Sequence, residues 1–514
     1  MAPPDETDYV PASYLAGIRR YGPDLISTLF LFLFFSVSLM AGRVWRFPFD
    51  DEIYTLRLIE RESALSLLTS FPRYGGDEHP PLGYLVFYGL HQLGLSDAEI
   101  RLCSLAMTAA ALVLFQLLVL TWIAQRNGKH DTLPTRVFAV LLFSLTPLAV
   151  DQGDALRWYP PFALAVALFA TLYLAPRSGL TQLWSGAALG LAASIDLTAA
   201  LLVPPFMLYR YVLQRRFHWR FDLTYWLLAA GGAGLGLYSG FWLFTNHFAH
   251  VRGDFGEGIA RSILTDTLGF FGGNALGVGQ AWIVVPAALV FVLAAACEIE
   301  RTEPAKPAHF LLLMFSAPAL MALFGFGLPR SFLWLAPAVA VLLTMFFDRQ
   351  IQQGYYGRVL VLVSLVLAAP YSAIANVNFG THPFKRNSVI PYQSILDFIH
   401  SNANGSALII STDPVVPWML RTNTADECAG YFMEARACLA GGRRYDSIFV
   451  ISGHSNRSGH AVTMANFQSL VAEATAGRTK VTSFGAGLDE DAALKSRLSG
   501  VPLDRYVLTV DYYR

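Results

Sequence analysis

Charge is scarce in this chain. Only 14% of its 514 residues are Asp, Glu, Lys or Arg, and 54% are hydrophobic, whereas soluble domains carry about 25% charge. That deficit excludes an ordinary soluble protein. There is no excess of either sign: Lys and Arg total 37, as do Asp and Glu. With no basic surplus, a nucleic-acid partner has no electrostatic support. Cysteine is nearly absent. Four residues exclude a disulfide scaffold. Cys103 and Cys297 fall in apolar runs, where a buried thiol is the default, while Cys428 and Cys438 lie in the polar C-terminal part. A cleavable signal is missing as well. The first 23 residues are polar, and the run that begins near Leu25 is long enough to cross a bilayer, so it reads as a signal anchor. Internal repeats and low-complexity segments are also missing.

Long apolar runs dominate what is present. They predict about eleven membrane spans, at 25–42, 98–124, 137–150, 160–175, 180–195, 197–213, 223–243, 281–297, 308–326, 331–347 and 358–375. Several are shorter than the roughly 20 residues a spanning helix needs, so their ends extend into flanking turns. Asp196 separates the fifth span from the sixth. Residues 53–69 and 80–95 read as helices lying in the interface. Arg57, Glu60 and Arg61 mark a polar face on the first, and Pro80-Pro81 suits the start of the second.

Basic residues set the orientation. Arg19 and Arg20 precede the first span; Arg126, Lys129 and Arg136 follow the second; Arg210, Arg215, Arg216 and Arg220 follow the sixth. These fall on one side if residues 53–97 do not cross. That side is the cytoplasm of a bacterial inner membrane. The expected organisation is a cytoplasmic tail (1–24), a transmembrane domain (25–375, with residues 43–97 as the first periplasmic loop), and a periplasmic α/β domain (376–514). In the last, Ala407–Ser411, Ser447–Ile451 and Tyr506–Val510 read as buried strands and Phe467–Ala474 as a helix. An oxidising compartment then predicts a Cys428–Cys438 disulfide.

The chemistry concentrates at the outer surface. Phe49-Asp50-Asp51-Glu52 follows the first span, and Asp77-Glu78-His79-Pro80-Pro81-Leu82 precedes the next. Charge beside a bilayer is expensive and usually functional. Neighbouring carboxylates perturb one another's pKa, which makes a carboxylate usable as a base. Leu156-Arg157-Trp158-Tyr159-Pro160 opens the fourth span, and Pro329-Arg330-Ser331-Phe332-Leu333, followed by Pro337, lies late in the chain.

These four elements, in this order and on one side, resemble the membrane glycosyltransferases of the GT-C fold. The group they resemble is the protein O-mannosyltransferase and aminoarabinose-transferase-like superfamily, over roughly residues 25–375. The resemblance implies a polyprenyl-phosphate sugar as donor, transfer of one sugar on the outer face with inversion, and Asp51 as the catalytic aspartate. The acceptor class stays open among lipid, glycan and protein. Chemistry fits independently. An acceptor hydroxyl must lose a proton, so a carboxylate base is needed. The departing phosphate needs cations, and Arg binds phosphate bidentately. Asp51 and Glu52 are therefore the candidate catalytic residues; Glu78, His79, Arg157, Tyr159 and Arg330 are the candidate substrate-binding ones. Each has a plainer role. The acids can cap the interfacial helix, the arginines can snorkel, and Tyr159 can anchor at the interface. No cofactor is required. Asp51, Glu52 and His79 offer a divalent ion suitable oxygen and nitrogen ligands, without a spacing that dictates a site. The rival class is a transporter or lipid flippase. It would place its charges near the midplane and show repeats, and this chain does neither.

Overall fold

The computed structural model describes residues 14–39, 50–70, 80–127, 133–144, 152–174, 179–213, 217–246, 333–360, 390–421, 428–431, 433–440, 444–453, 461–486 and 507–514, with Pro48, Ala149 and Ala493 as isolated positions. Two compact units emerge. One comprises residues 1–44 and 58–373, the other residues 45–57 and 374–514.

The first unit is helical. It contains α1 (Tyr14–Leu39), α3 (Ala64–Ser70), α4 (Leu82–Gln92), α5 (Asp97–Asn127), α6 (Leu133–Ser144), α7 (Tyr159–Leu174), α8 (Gly179–Ile195), α9 (Val203–Met207), α10 (Trp219–Asn246) and α11 (Leu335–Gln352). The boundary between the units falls inside α2 (Asp50–Ile59). Local chemistry explains several ends. Ser96 and Glu99 form a reciprocal capping box at the start of α5: the Ser96 N–H donates to Glu99 Oε2 at 2.7 Å, and the Glu99 N–H to Ser96 Oγ at 3.4 Å. The Ser63 hydroxyl accepts the Ser66 N–H at the start of α3. Asp196 ends α8 and accepts the Thr198 N–H at 2.6 Å, capping the 3₁₀ turn that begins at Leu197.

Two segments depart from the sequence expectation. Residues 53–69 do not form one helix: Glu60–Ser63 separates α2 from α3, because Ser63 supplies a new cap. The expected span 197–213 is a 3₁₀ turn (Leu197–Leu202), then α9, then a π turn (Leu208–Leu213). Pro204 and Pro205 cannot donate backbone hydrogen bonds, so they fit the first turn of a new helix, α9, and not the interior of one running from Leu197. The π turn is fixed by a buried ion pair, with Arg210 Nη2 2.7 Å from Asp222 Oδ1.

Among the described residues, one helix is long and apolar enough to cross a bilayer, Asp97–Leu118. Shorter apolar helices are Gly22–Phe34, Tyr159–Tyr173 and Leu183–Ile195. The expected spans 281–297 and 308–326, and nearly all of 358–375, lie outside the described residues. Several helices turn apolar faces outward. Ile26, Phe30 and Phe34 on α1, and Leu223 and Leu227 on α10, are exposed at a helical spacing of four. Such stripes suit contact with lipid.

Glycine sets the packing of α8 on α10. A Cβ at Gly190 would stand 2.8 Å from the Ala229 carbonyl oxygen and 2.9 Å from that of Leu228. Backbone cannot swing aside as a side chain does. Small residues at four-residue spacing, here Gly186 and Gly190, let membrane helices approach closely. Gly190→Val is therefore expected to cost about 1–3 kcal/mol by overpacking, read as a lower melting temperature of the purified protein. Gly231→Val is the control, because its Cβ would meet nothing within 4 Å. Equal losses from both would discount the close approach.

The second unit is an α/β sandwich around a five-stranded sheet. Its strands are β1 (Ala407–Ser411), β2 (Cys428–Tyr431), β3 (Ser447–Gly453), β4 (Lys480–Ala486) and β5 (Leu508–Tyr513), in spatial order β2-β1-β3-β5-β4. β1 runs parallel to β2 and β3; β5 runs antiparallel to β3 and β4. Helices α12 (Tyr392–Asn402) and α13 (Val415–Arg421) contribute to a core with Ile409, Phe449, Ile451 and Val510. Helices α14 (Met433–Ala440) and α15 (Ala461–Ala474) contribute to a second core with Leu408, Ile410, Ile448 and Val450. Alternate residues of β1 thus feed opposite cores, as the pleat requires.

Cys428 on β2 and Cys438 on α14 form a disulfide, with Cα atoms 6.2 Å apart. It closes a short loop beside the second core. Reduction is expected to cost roughly 2–3 kcal/mol by the chain-entropy account, seen as faster proteolysis of the C-terminal unit under dithiothreitol. A Cys428→Ser/Cys438→Ser variant should not respond to reductant. In native membranes neither thiol should alkylate before reduction. Two freely alkylated thiols there would remove the argument for an external C-terminus.

Candidate functional site

Within the helical unit, two of the sequence elements come together. Pro80-Pro81 leads into α4, with Pro81 at its N-cap. Leu156-Arg157-Trp158 leads into α7, whose first residue is Tyr159. A Cβ on Gly83 would lie 3.1 Å from Trp158 Cβ and 3.4 Å from Ile195 Cγ2. The next residue, Tyr84, is fully buried, and the Arg157 guanidinium carbon lies 6.0 Å from its ring centroid. That is the outer limit for attraction between a cation and a ring face. Trp158 stacks obliquely on Tyr159, with centroids 4.3 Å apart, and meets Phe162 edge-on. The aromatic wall so formed is nearly closed to solvent.

The segment before Arg157 is anchored from α5. The Thr108 hydroxyl donates to the Gly153 carbonyl at 2.9 Å. Arg101, Ser104 and Thr108, which share one face of α5, are buried, as are Gln152, Asp154 and Arg157. A tract this polar and this buried is costly to keep, which makes function the first explanation. Arg157 offers a fork of donors suited to phosphate.

The acid pair lies in the other unit. Asp50, Asp51 and Glu52 form the first turn of α2, where the helix dipole favours negative charge. Glu52 is fully buried, and Ile53 beside it is 2% exposed. Of the sequence candidates, Glu52, Arg157 and Tyr159 are described with their side chains, and all three are buried. The side chain of Asp51, and Glu78, His79 and Arg330 altogether, lie outside the described residues. Of the metal set Asp51, Glu52 and His79, only the Glu52 side chain is therefore described. Among the described residues no three His, Cys, Asp or Glu side chains group as metal ligands.

Sequence reasoning missed Gly83 and Trp158 as the contact that joins the two elements. The one local signal was a glycine inside a stretch read as a helix, a position that costs helix stability and so points to a packing reason.

No family model matches the sequence, and no curated protein matches it. Solved structures similar to the chain include ArnT, an aminoarabinose transferase from Cupriavidus metallidurans, bound to undecaprenyl phosphate (12% identity, TM-score 0.49) and in the apo state (13% identity, TM-score 0.49). Each covers 96% of this chain and 98% of its own. The Archaeoglobus fulgidus oligosaccharyltransferase in complex with Zn and sulfate is similar at 12% identity and TM-score 0.45, covering 82% of this chain and 67% of its own. At these scores the comparison adds no argument about chemistry, which rests on the residues above.

Proposed function

We propose that the chain is a GT-C membrane glycosyltransferase that moves one sugar from a polyprenyl-phosphate carrier to an acceptor on the periplasmic face. The observation that carries this reading is the meeting of Pro81–Tyr84 with Arg157–Tyr159, two sequence-distant elements of the glycosyltransferase pattern, in one buried aromatic and cationic wall. Undecaprenyl phosphate, the molecule named with ArnT, belongs to the proposed class of carrier.

In this mechanism Asp51 accepts the proton of an acceptor hydroxyl as that oxygen attacks the anomeric carbon. The bond from that carbon to the carrier phosphate breaks on the opposite face, with inversion. Arg157 and Arg330 offset the charge that grows on the departing phosphate. Glu52 supports Asp51 from the adjoining helical position, and Glu78, His79 and Tyr159 contact substrate. Membrane lipids surround about eleven spans, and the isoprenoid chain lies among them.

The test uses membranes containing the protein and a lipid extract carrying polyprenyl-linked sugars. Mass spectrometry should show donor converted to free polyprenyl phosphate while an acceptor gains one sugar mass. Redistribution of intact donor between the leaflets of sealed vesicles, with no sugar transferred, would replace the enzyme with a flippase.

A further inference from the structure

Residues 45–57 group with the C-terminal α/β unit, although the helical unit contains the sequence on both sides of them. The reason is visible at Ile53. It is 2% exposed and belongs to the core cluster of Tyr392, Ile395, Ile399, Ile409 and Val416. Two residues further on, Thr55 is fully buried as well. The first two turns of α2 are thus built into the α/β unit.

We propose that Ile53 is a positioning residue, through which the α/β unit fixes the helical turn that carries Asp51 and Glu52. The proposal rests on the reading of Asp51 as the base. It gives the α/β unit the role of holding the base. The physics is short-range. Consecutive helical residues share one hydrogen-bonded backbone, so anchoring Ile53 fixes the Cα positions of the two residues before it. A β-branched side chain has essentially one χ1 rotamer in a helix, so its anchor is stiff. Base catalysis tolerates little displacement: a shift of about 1 Å can cost on the order of 100-fold in rate.

The test has two readouts on the full-length protein in lipid nanodiscs. The first is hydrogen exchange over residues 50–57. Alanine is a better helix former than isoleucine, so in a helix held only by itself Ile53→Ala would slow exchange or leave it unchanged. If the α/β core holds the helix, the same change should speed exchange about tenfold or more, with Ile53→Val intermediate. Ile399→Val, a core change on α12, should speed exchange over 50–57 too. The second readout is donor consumption from the lipid extract. Ile53→Ala should lower the saturated rate roughly 10- to 100-fold with little change in the donor concentration at half-saturation, and Ile53→Val should recover most of it. Unchanged or slower exchange in Ile53→Ala overturns the proposal. So does faster exchange with an undiminished saturated rate. A wild-type protein with no transferase activity defeats the functional reading instead, and the exchange result then stands as a separate structural finding.

Discussion

Asp51→Asn is expected to abolish sugar transfer while the protein stays folded and inserted. Loss of a general base costs roughly 10²–10⁴ in rate. The substitution separates chemistry from capping. Asp51 lies in the first turn of α2, next to Asp50 and Glu52. A charge there contributes about 0.3–1 kcal/mol to the helix, too little to explain a thousandfold loss. Asn is nearly isosteric and keeps hydrogen-bonding capacity at a helix start, so the turn should persist. Hydrogen exchange over 50–57 should match wild type while donor turnover disappears. Asp50→Asn, one residue earlier, should retain most activity. Near-normal turnover by purified Asp51→Asn would end its assignment as the base.

Much of the α/β unit was legible because its central strands are buried on both faces. Ala407–Ser411 is an unbroken apolar run closed by a serine, and β1 has those bounds. The edge strands were not legible. β2 is Cys-Ala-Gly-Tyr, with neither length nor alternation. β4 is mostly exposed and gains its conformation from pairing with β5. Tertiary context decides such strands more than propensity does. In the helical unit, apolar runs marked the described helices well, and Asp196 marked a real end. The π turn after Pro204 and Pro205 depends on the Arg210–Asp222 pair, which no local pattern announces. At the candidate site, the order of motifs gave the residue types. It did not reveal that Gly83 receives Trp158, or that the helix carrying Asp51 and Glu52 is anchored through Ile53 in a domain distant in sequence. Both are long-range contacts, and hydrophobic periodicity is silent about partners.

The C-terminal unit should lose stability as pH rises from about 4 to 6, through one residue. Asp413 follows β1 and is fully buried. Its Oδ1 accepts the Val415 N–H at 2.8 Å, capping α13, and its Oδ2 lies 2.9 Å from the Tyr392 hydroxyl, tying in the start of α12. Burial raises its pKa from 3.8 to about 6; the hydrogen bonds from Tyr392, Val415 and Val416 offset only part of that rise. The native state therefore holds this proton more tightly than the unfolded chain. Between about 3.8 and 6 it binds more protons than the unfolded chain does, so stability falls with rising pH across that window and is flat on either side. A shift of about two units corresponds to roughly 3 kcal/mol. Other carboxylates oppose the trend: Asp446 is lowered by its backbone and side-chain hydrogen bonds with Ser406, so it favours the fold at higher pH. The comparison with Asp413→Asn removes such shared terms. Asn keeps the volume and can still accept the Val415 N–H, while the Tyr392 hydroxyl rotates to accept from the new amide. Wild type and variant should be similar near pH 4, and the variant should be markedly more stable at pH 7. Pulse proteolysis of the full-length protein, scored on the C-terminal fragment at both pH values, measures the difference. A gap between the two proteins that does not widen with pH would mean that Asp413 enters the folded core already ionised.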